Sequence, residues 1–233
     1  GFIGWRSYKI DGTFTGVVGD YDGNGYDDIY WYAAGPGTDW IWLSDGNDFW
    51  QTQSAANSSL QMALVGDYDG DGDDDIYWYA PGPTEDYLWA AQGGLFYGLS
   101  APQVWSVHSP AVGDFTGDGK DEILWSSNPS WLWETFGAGM TFYGRATSPA
   151  IGSYQALAGD YDNDGDDDIM WYAPGAGSDW IWTAQRGNFS GYPAPAVDAY
   201  FTSVIAGDVD GNGGEDLVWY ASPGTDWVWR YSG

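Results

Sequence analysis

The pair Gly-Asp returns five times along this chain, with its aspartate at Asp20, Asp67, Asp114, Asp160 and Asp208, at intervals of 47, 47, 46 and 48 residues. A fixed period of this size constrains architecture more than any composition can, because each unit must pack against copies of itself. Aligned on those aspartates, the copies read GDYDGNGYDDIYWYA, GDYDGDGDDDIYWYA, GDFTGDGKDEILWSS, GDYDNDGDDDIMWYA and GDVDGNGGEDLVWYA.

Every unit carries four short strand signals separated by turn residues. A small-residue strand (GVVGD, ALVGD, PAVGD, ALAGD, VIAGD) leads into the acidic loop, and an aromatic strand of the DIYWYA type leaves it. A Pro/Gly turn follows, then a third strand (DWIW, DYLW, SWLW, DWIW, DWVW) and a looser fourth, such as FWQTQS. Helical periodicity with caps is not evident, so the chain reads as all-β. Five four-stranded units predict one domain over residues 1–233, a closed five-bladed β-propeller. The chain finishes after a third strand, DWVWRYSG, and begins with GFIGWRSYKID, which has the form of the missing fourth. The N-terminal strand is expected to complete the last blade and cover two open edges.

Blades that splay from an axis need small residues inside and bulky ones outside. The first strands are rich in Gly, Ala and Val, whereas the second and third hold 14 of the 17 tryptophans. Trp31, Trp78, Trp125, Trp171 and Trp219 occupy one position in all five copies and are expected in the core.

The second loop sets six aspartates in nine residues, 67–75, directly against a strand. Such crowding of like charge is costly unless a cation sits among the carboxylates. Hard cations want oxygen ligands, and calcium accepts six to eight in an irregular cage. Side chains at loop positions one, three, five and nine with a carbonyl at seven give Asp67, Asp69, Asp71, the carbonyl of Asp73, and Asp75. A helix-loop-helix calcium hand needs a glutamate at position twelve, where all five copies have tryptophan. The absence of cysteine removes thiolate ligands.

These loops resemble the FG-GAP and VCBS-type repeats of integrin α-subunit propellers, of many secreted bacterial proteins and of some fungal lectins. The resemblance spans essentially the whole chain and implies calcium in the loop between the first two strands of a blade. Carried over by position, it implies Asp20, Asp22, Asn24, the carbonyl of Tyr26, and Asp28 in the first loop. In the fourth it implies Asp160, Asp162, Asp164, the carbonyl of Asp166, and Asp168; in the fifth, Asp208, Asp210, Asn212, the carbonyl of Gly214, and Asp216. The third loop departs, with Thr116 at position three, Lys120 at seven and Glu122 at nine. Only Asp114 and Asp118 remain as clear ligands there, and a weak or empty site is expected. Integrin propellers have seven blades, so their partner sites do not transfer. The five loops hold 24 of the 34 acidic residues, and five divalent ions would take the formal charge from -28 to -18.

That charge, with only six Lys and Arg, argues against nucleic acid and anionic membranes as partners. No apolar run reaches the ~18 residues that membrane insertion needs. On the face opposite the acidic loops, an aspartate precedes an aromatic in Asp39-Trp40, Asp86-Tyr87, Asp179-Trp180 and Asp226-Trp227. Rings that stack on sugar faces beside carboxylates that accept hydroxyl hydrogen bonds predict a glycan-binding module. An extracellular protein is the alternative partner, in an adhesion role. A glycan-active enzyme is the weakest reading: Glu134 is the single candidate acid, and the lone His108 reads as structural. Loops of this kind need millimolar calcium, so a secreted, non-enzymatic protein is expected.

Overall fold

The computed structural model describes residues 8–33, 38–54, 57, 61–137, 140–175, 177–197 and 200–230. Its strands form five antiparallel sheets, and the described residues contain no helix. The first blade comprises β1 (Thr15–Gly19), β2 (Asp28–Tyr32), β3 (Asp39–Ser44) and β4 (Phe49–Ser54). The second comprises β5 (Met62–Gly66), β6 (Asp75–Tyr79), β7 (Tyr87–Gln92) and β8 (Leu95–Ser100). The third has β9 (Pro110–Gly113), β10 (Glu122–Trp125), β11 (Ser130–Phe136) and β12 (Thr141–Thr147). The fourth has β13 (Gln155–Gly159), β14 (Asp168–Tyr172), β15 (Trp180–Gln185) and β16 (Asn188–Pro193), and the fifth β17 (Ser203–Gly207), β18 (Asp216–Tyr220) and β19 (Trp227–Trp229).

The chain is therefore an all-β, five-bladed propeller, as the repeat predicts. Its blades fall in two compact units, Gly1–Val107 with two blades and His108–Gly233 with three. Among the described residues the last blade has three strands. The segment expected to supply its fourth begins with residues 1–7, which lie outside the described residues.

One register recurs in all five hairpins. Gly19 pairs with Asp28, Gly66 with Asp75, Gly113 with Glu122, Gly159 with Asp168 and Gly207 with Asp216. The glycine before the loop thus faces the acid at loop position nine, and the eight residues between them form the connection. Within each unit the first strands of neighbouring blades touch, β1 against β5 and β13 against both β9 and β17.

That approach explains the glycine of the Gly-Asp pair. A Cβ on Gly19 would lie 2.7 Å from Val65 Cγ1 and 2.9 Å from Asp74 Oδ2, both on the second blade. A Cβ on Gly113 would likewise lie 2.4 Å from Asp167 Oδ2.

The cores sit between adjacent blades. Tyr21, Tyr30, Ile41, Ile76 and Trp78 join the first two; Phe115, Leu124, Leu132, Ile169 and Trp171 join the third and fourth. Trp78, Trp125, Trp171 and Trp219 are at most 2% exposed, which confirms the core expected of that position, while Trp31 is half-buried. Each meets the tryptophan of its own third strand, with centroids 5.4 Å apart for Trp31–Trp42, 5.3 Å for Trp78–Trp89 and Trp125–Trp133, 5.2 Å for Trp171–Trp182 and 5.0 Å for Trp219–Trp229. Such edge and tilted pairs add about 0.5–1.5 kcal/mol each beyond area burial.

Gly19→Ala should therefore destabilise the protein by about 1–3 kcal/mol in urea unfolding, the usual cost of overpacking. Gly98→Ala, on exposed β8 with open space around its Cβ, should leave the unfolding midpoint nearly unchanged.

Candidate functional site

The register just described brings the two ends of each acidic loop together, so carboxylates distant in the loop converge at the hairpin mouth. Within 4.8 Å of one another lie oxygens of Asp20, Asp22 and Asp28; of Asp67, Asp69 and Asp71; of Asp160, Asp162 and Asp168; and of Asp208, Asp210 and Asp216. The third loop gathers Asp114, Asp118 and Glu122 in the same way. Every described blade thus builds a cluster from the expected positions, and in the third Glu122 joins two residues that sequence alone selected.

The position-one aspartate folds each loop over itself. Asp20 accepts from the amides of Asn24 (3.1 Å) and Gly25 (2.7 Å), Asp114 from Asp118 and Gly119, and Asp160 from Asp164 and Gly165. Asp67 and Asp208 each accept three loop amides. The curl needs left-handed backbone at positions four and six: Gly23 and Gly25 have φ of 66° and 86°, and in the fourth loop Asn163 takes the first role with φ 58°.

Position five accepts the amide of position seven in all five loops: Asn24 from Tyr26, Asp71 from Asp73, Asp118 from Lys120, Asp164 from Asp166, and Asn212 from Gly214. The side chains of Asp73 and Asp166 turn elsewhere, accepting the amides of Gly93 and Arg186 at 2.5 Å and pinning the turn between their third and fourth strands.

Position nine is the buried end. Asp28 accepts from Tyr21 N (3.0 Å) and Ser44 N (2.7 Å), Asp75 from Tyr68 N and Ala91 N, Asp168 from Tyr161 N and Ala184 N, and Asp216 from Val209 N. Burial first, then the neighbouring carboxylates, pushes Asp28 and Asp168 up to about 7 and Asp75 to about 8, against the backbone bonds that hold the ionised forms, and Glu122 to about 9, against the Thr116 hydroxyl alone.

The residues present fit a hard divalent cation. Asp22 Oδ1 and Glu122 Oε2 are buried with no hydrogen-bond partner, a costly state for a carboxylate oxygen that an ion among the cluster would relieve. The loops are also tied to the next blade. Asp74 Oδ2 accepts from Asp20 N (2.8 Å) while Asp74 N donates to Asp20 O (2.7 Å), and Asp167 and Glu215 clasp Asp114 and Asp160 identically.

On the second predicted face, the carboxylates and the rings part company. Asp39, Asp86 and Asp179 are buried. Asp39 binds Ala33 N, Asn57 N and the Tyr30 hydroxyl; Asp86 binds Ala80 N and Val104 N; Asp179 binds Ala173 N and Val197 N. They staple the turn before the third strand to the segment that leaves the blade. Ser130 does this in the third blade, accepting from Ser127 N and Ala150 N. Asp226 is exposed and accepts from Ala221 N.

The adjoining rings face outward: Tyr87 is 41%, Trp180 36% and Trp227 57% exposed, and Trp40 is half-buried. Trp180 lines a recess of about 290 Å³ in the fourth blade with Tyr154, Trp171, Trp182 and Ile151. Tyr87 lines a second, of about 490 Å³, with Glu85, Ser100 and Gln103.

Sequence profiles agree with this geometry. The FG-GAP-like repeat matches residues 20–78 and 67–125, and the FG-GAP repeat matches 153–192, together more than half of the chain. The chain belongs to the FG-GAP repeat family. No curated protein sequence matches it significantly.

Among solved structures, this FG-GAP protein is similar to an Agrocybe aegerita lectin described in specific recognition of non-reducing terminal N-acetylglucosamine. The TM-score is 0.66 at 18% identity, over 88% of this chain and 60% of the lectin. It is also similar to AofleA from Arthrobotrys oligospora, with TM-score 0.56 at 15% identity, over 96% of this chain and 73% of that one. The chain spans about three fifths of the lectin's length, and at these identities the likeness is one of fold.

The raised carboxyls have a consequence for the metal-free protein. An unfolded chain releases these protons near pH 4, whereas the folded loops hold them up to about pH 7–9, so metal-free stability falls as pH rises through that window. In chelator, the urea midpoint should be lower at about pH 8.5 than at about pH 5.5, and a divalent cation should remove the difference. A chelated midpoint that rises with pH would contradict the burial of position nine.

Proposed function

We propose that this chain is a calcium-stabilised, extracellular carbohydrate-binding module, with the glycan held by the outward rings of the third strands. The observation that carries the reading is the fourth-blade recess, walled by Trp171, Trp180, Trp182 and Tyr154. Flat rings around a shallow pocket, with Trp180 and Tyr154 partly exposed and Trp171 and Trp182 buried behind them, suit the apolar faces of pyranose rings. The propeller shared with a lectin supports the same assignment. The aspartates expected to accept sugar hydroxyls act instead as staples in this reading, leaving the contact to the rings.

Calcium is the cation that the ligand set favours. Irregular cages of aspartate, asparagine and carbonyl oxygen match its tolerant coordination, and extracellular calcium is abundant enough to fill open loops. Asp20, Asp22, Asn24 and Asp28 would hold it in the first loop, with the matching positions in the second, fourth and fifth. The ion supplies charge neutralisation and fixes the hairpin mouth.

Binding rather than catalysis is also supported by the two groups an enzyme reading would use. Glu134 is engaged by Arg145 at 2.5 Å, and His108 Nδ1 is held at 3.0 Å from Ser126 O. A stripe of Leu95, Tyr97 and Leu99, 58%, 52% and 38% exposed on β8, favours protein contact as the second reading. Among the described residues no helix is long and apolar enough to cross a membrane.

A glycan array should return specific ligands, and Trp180→Ala should weaken the best of them about tenfold or more without lowering the melting temperature. An empty array, with capture of a protein ligand that Tyr97→Asp abolishes, would select the second reading. Chelation should lower the melting temperature by several degrees and calcium should restore it.

A further inference from the structure

The second blade departs from the others at the turn before its third strand. The residue preceding the stapling side chain is Thr38 in the first blade, Pro129 in the third, Ser178 in the fourth and Thr225 in the fifth; the second alone places an acid there, Glu85. The aromatic that follows the staple changes with it, being Tyr87 where the other blades have Trp40, Trp131, Trp180 and Trp227. The two departures are coupled, because the Tyr87 hydroxyl donates to Glu85 Oε2 at 3.0 Å.

Both residues line the recess of about 490 Å³, together with Ser100 and Gln103. Its polar side chains offer mostly acceptors. The Tyr87 hydrogen is spent on Glu85, and Gln103 Nε2 donates to Gly82 O at 2.8 Å and to Thr84 O at 3.0 Å, which leaves the Gln103 carbonyl oxygen to offer. Asp86 also lines the recess, but its oxygens already accept Ala80 N and Val104 N, so it adds negative charge rather than a contact. Glu85 is exposed, and no basic side chain is among the lining residues. The recess around Trp180 has no charged lining residue at all. A wall of acceptors with a carboxylate is matched by a ligand that brings N–H and O–H donors and a positive charge.

We propose that the second-blade recess binds an amino sugar through its protonated amine, with Glu85 pairing the ammonium, the Tyr87 ring against the sugar, and Ser100 and Gln103 accepting hydroxyl hydrogens. A ring beside the carboxylate favours a cation twice, through its π face and through the ion pair. The inference rests on the reading that this chain binds glycans, and it adds a site whose chemistry differs from the uncharged one in the fourth blade.

The test is calorimetry with a glucosamine trisaccharide and its fully N-acetylated counterpart, in mildly acidic buffer that keeps the free amines charged. The free-amine trimer should bind about tenfold more tightly, and added salt should weaken it. Glu85→Gln, nearly isosteric and on the surface, should abolish that preference. Asp48→Asn removes the same charge from an exposed turn and should leave the preference intact, so that the loss reports the recess and not the net charge. Equal binding of the two trimers, or a preference that survives Glu85→Gln, overturns this proposal alone. Glu85-dependent binding of an oligolysine peptide without binding of the amino sugar overturns it in favour of a protein ligand. A protein that binds neither trimer and returns an empty glycan array overturns the carbohydrate reading as well.

Discussion

Pairing of the glycine before each acidic loop with the acid nine residues on is the constraint from which the rest of the structure follows. It puts positions one and nine at the mouth of one hairpin, where three carboxylates drawn from positions one, three, five and nine gather within 4.8 Å. Like charges held that close, with position nine buried, raise the energy of the folded chain until protons or a cation offset it. The second strand leaves that mouth paired with the third, and its tryptophan meets that of the third strand. Carboxylate cluster and aromatic core are two ends of one ladder.

Neither end belongs to a single blade. The backbone of Asp20, a cluster residue in the first loop, is clasped by Asp74 of the second blade, and Gly94 N donates to Tyr21 O from the same neighbour at 2.8 Å. In the other unit Asp167 and Gly187 repeat both contacts on Asp114 and Phe115. Ordering of a loop and docking of the next blade therefore draw on the same atoms. That sharing accounts for a glycine at position 19 or 113, where a Cβ would enter the clasp. The opposite face follows a different rule: Asp39, Asp86 and Asp179 are consumed by backbone amides that stitch their blades to the exit segments, so that Tyr87 and Trp180 beside them face outward without those carboxylates.

Much of this was legible in the residues. The period, the all-β class, the core tryptophans and the loop positions that converge depend on local pattern, and local pattern is what a sequence displays directly. Two features were not. Glu122 was set aside because Thr116 and Glu122 were weighed as separate losses, whereas the structure couples them through a hydrogen bond. Asp39, Asp86 and Asp179 looked available because an aspartate beside an aromatic in a turn reads as surface, yet the amides of Asn57, Val104 and Val197 come back from 18 residues away to bury them.

The order of residues alone therefore determined the repeat unit, its strands, and the oxygen-rich loop between the first two, since each rests on periodicity and side-chain chemistry within a few residues. Tertiary structure alone decided which carboxylates are free for an ion or a ligand and which are spent on the backbone. The reason is that a carboxylate's availability depends on the amides that reach it, and those that bury Asp28, Asp39, Asp86 and Asp179 include amides 16 or 18 residues away in sequence.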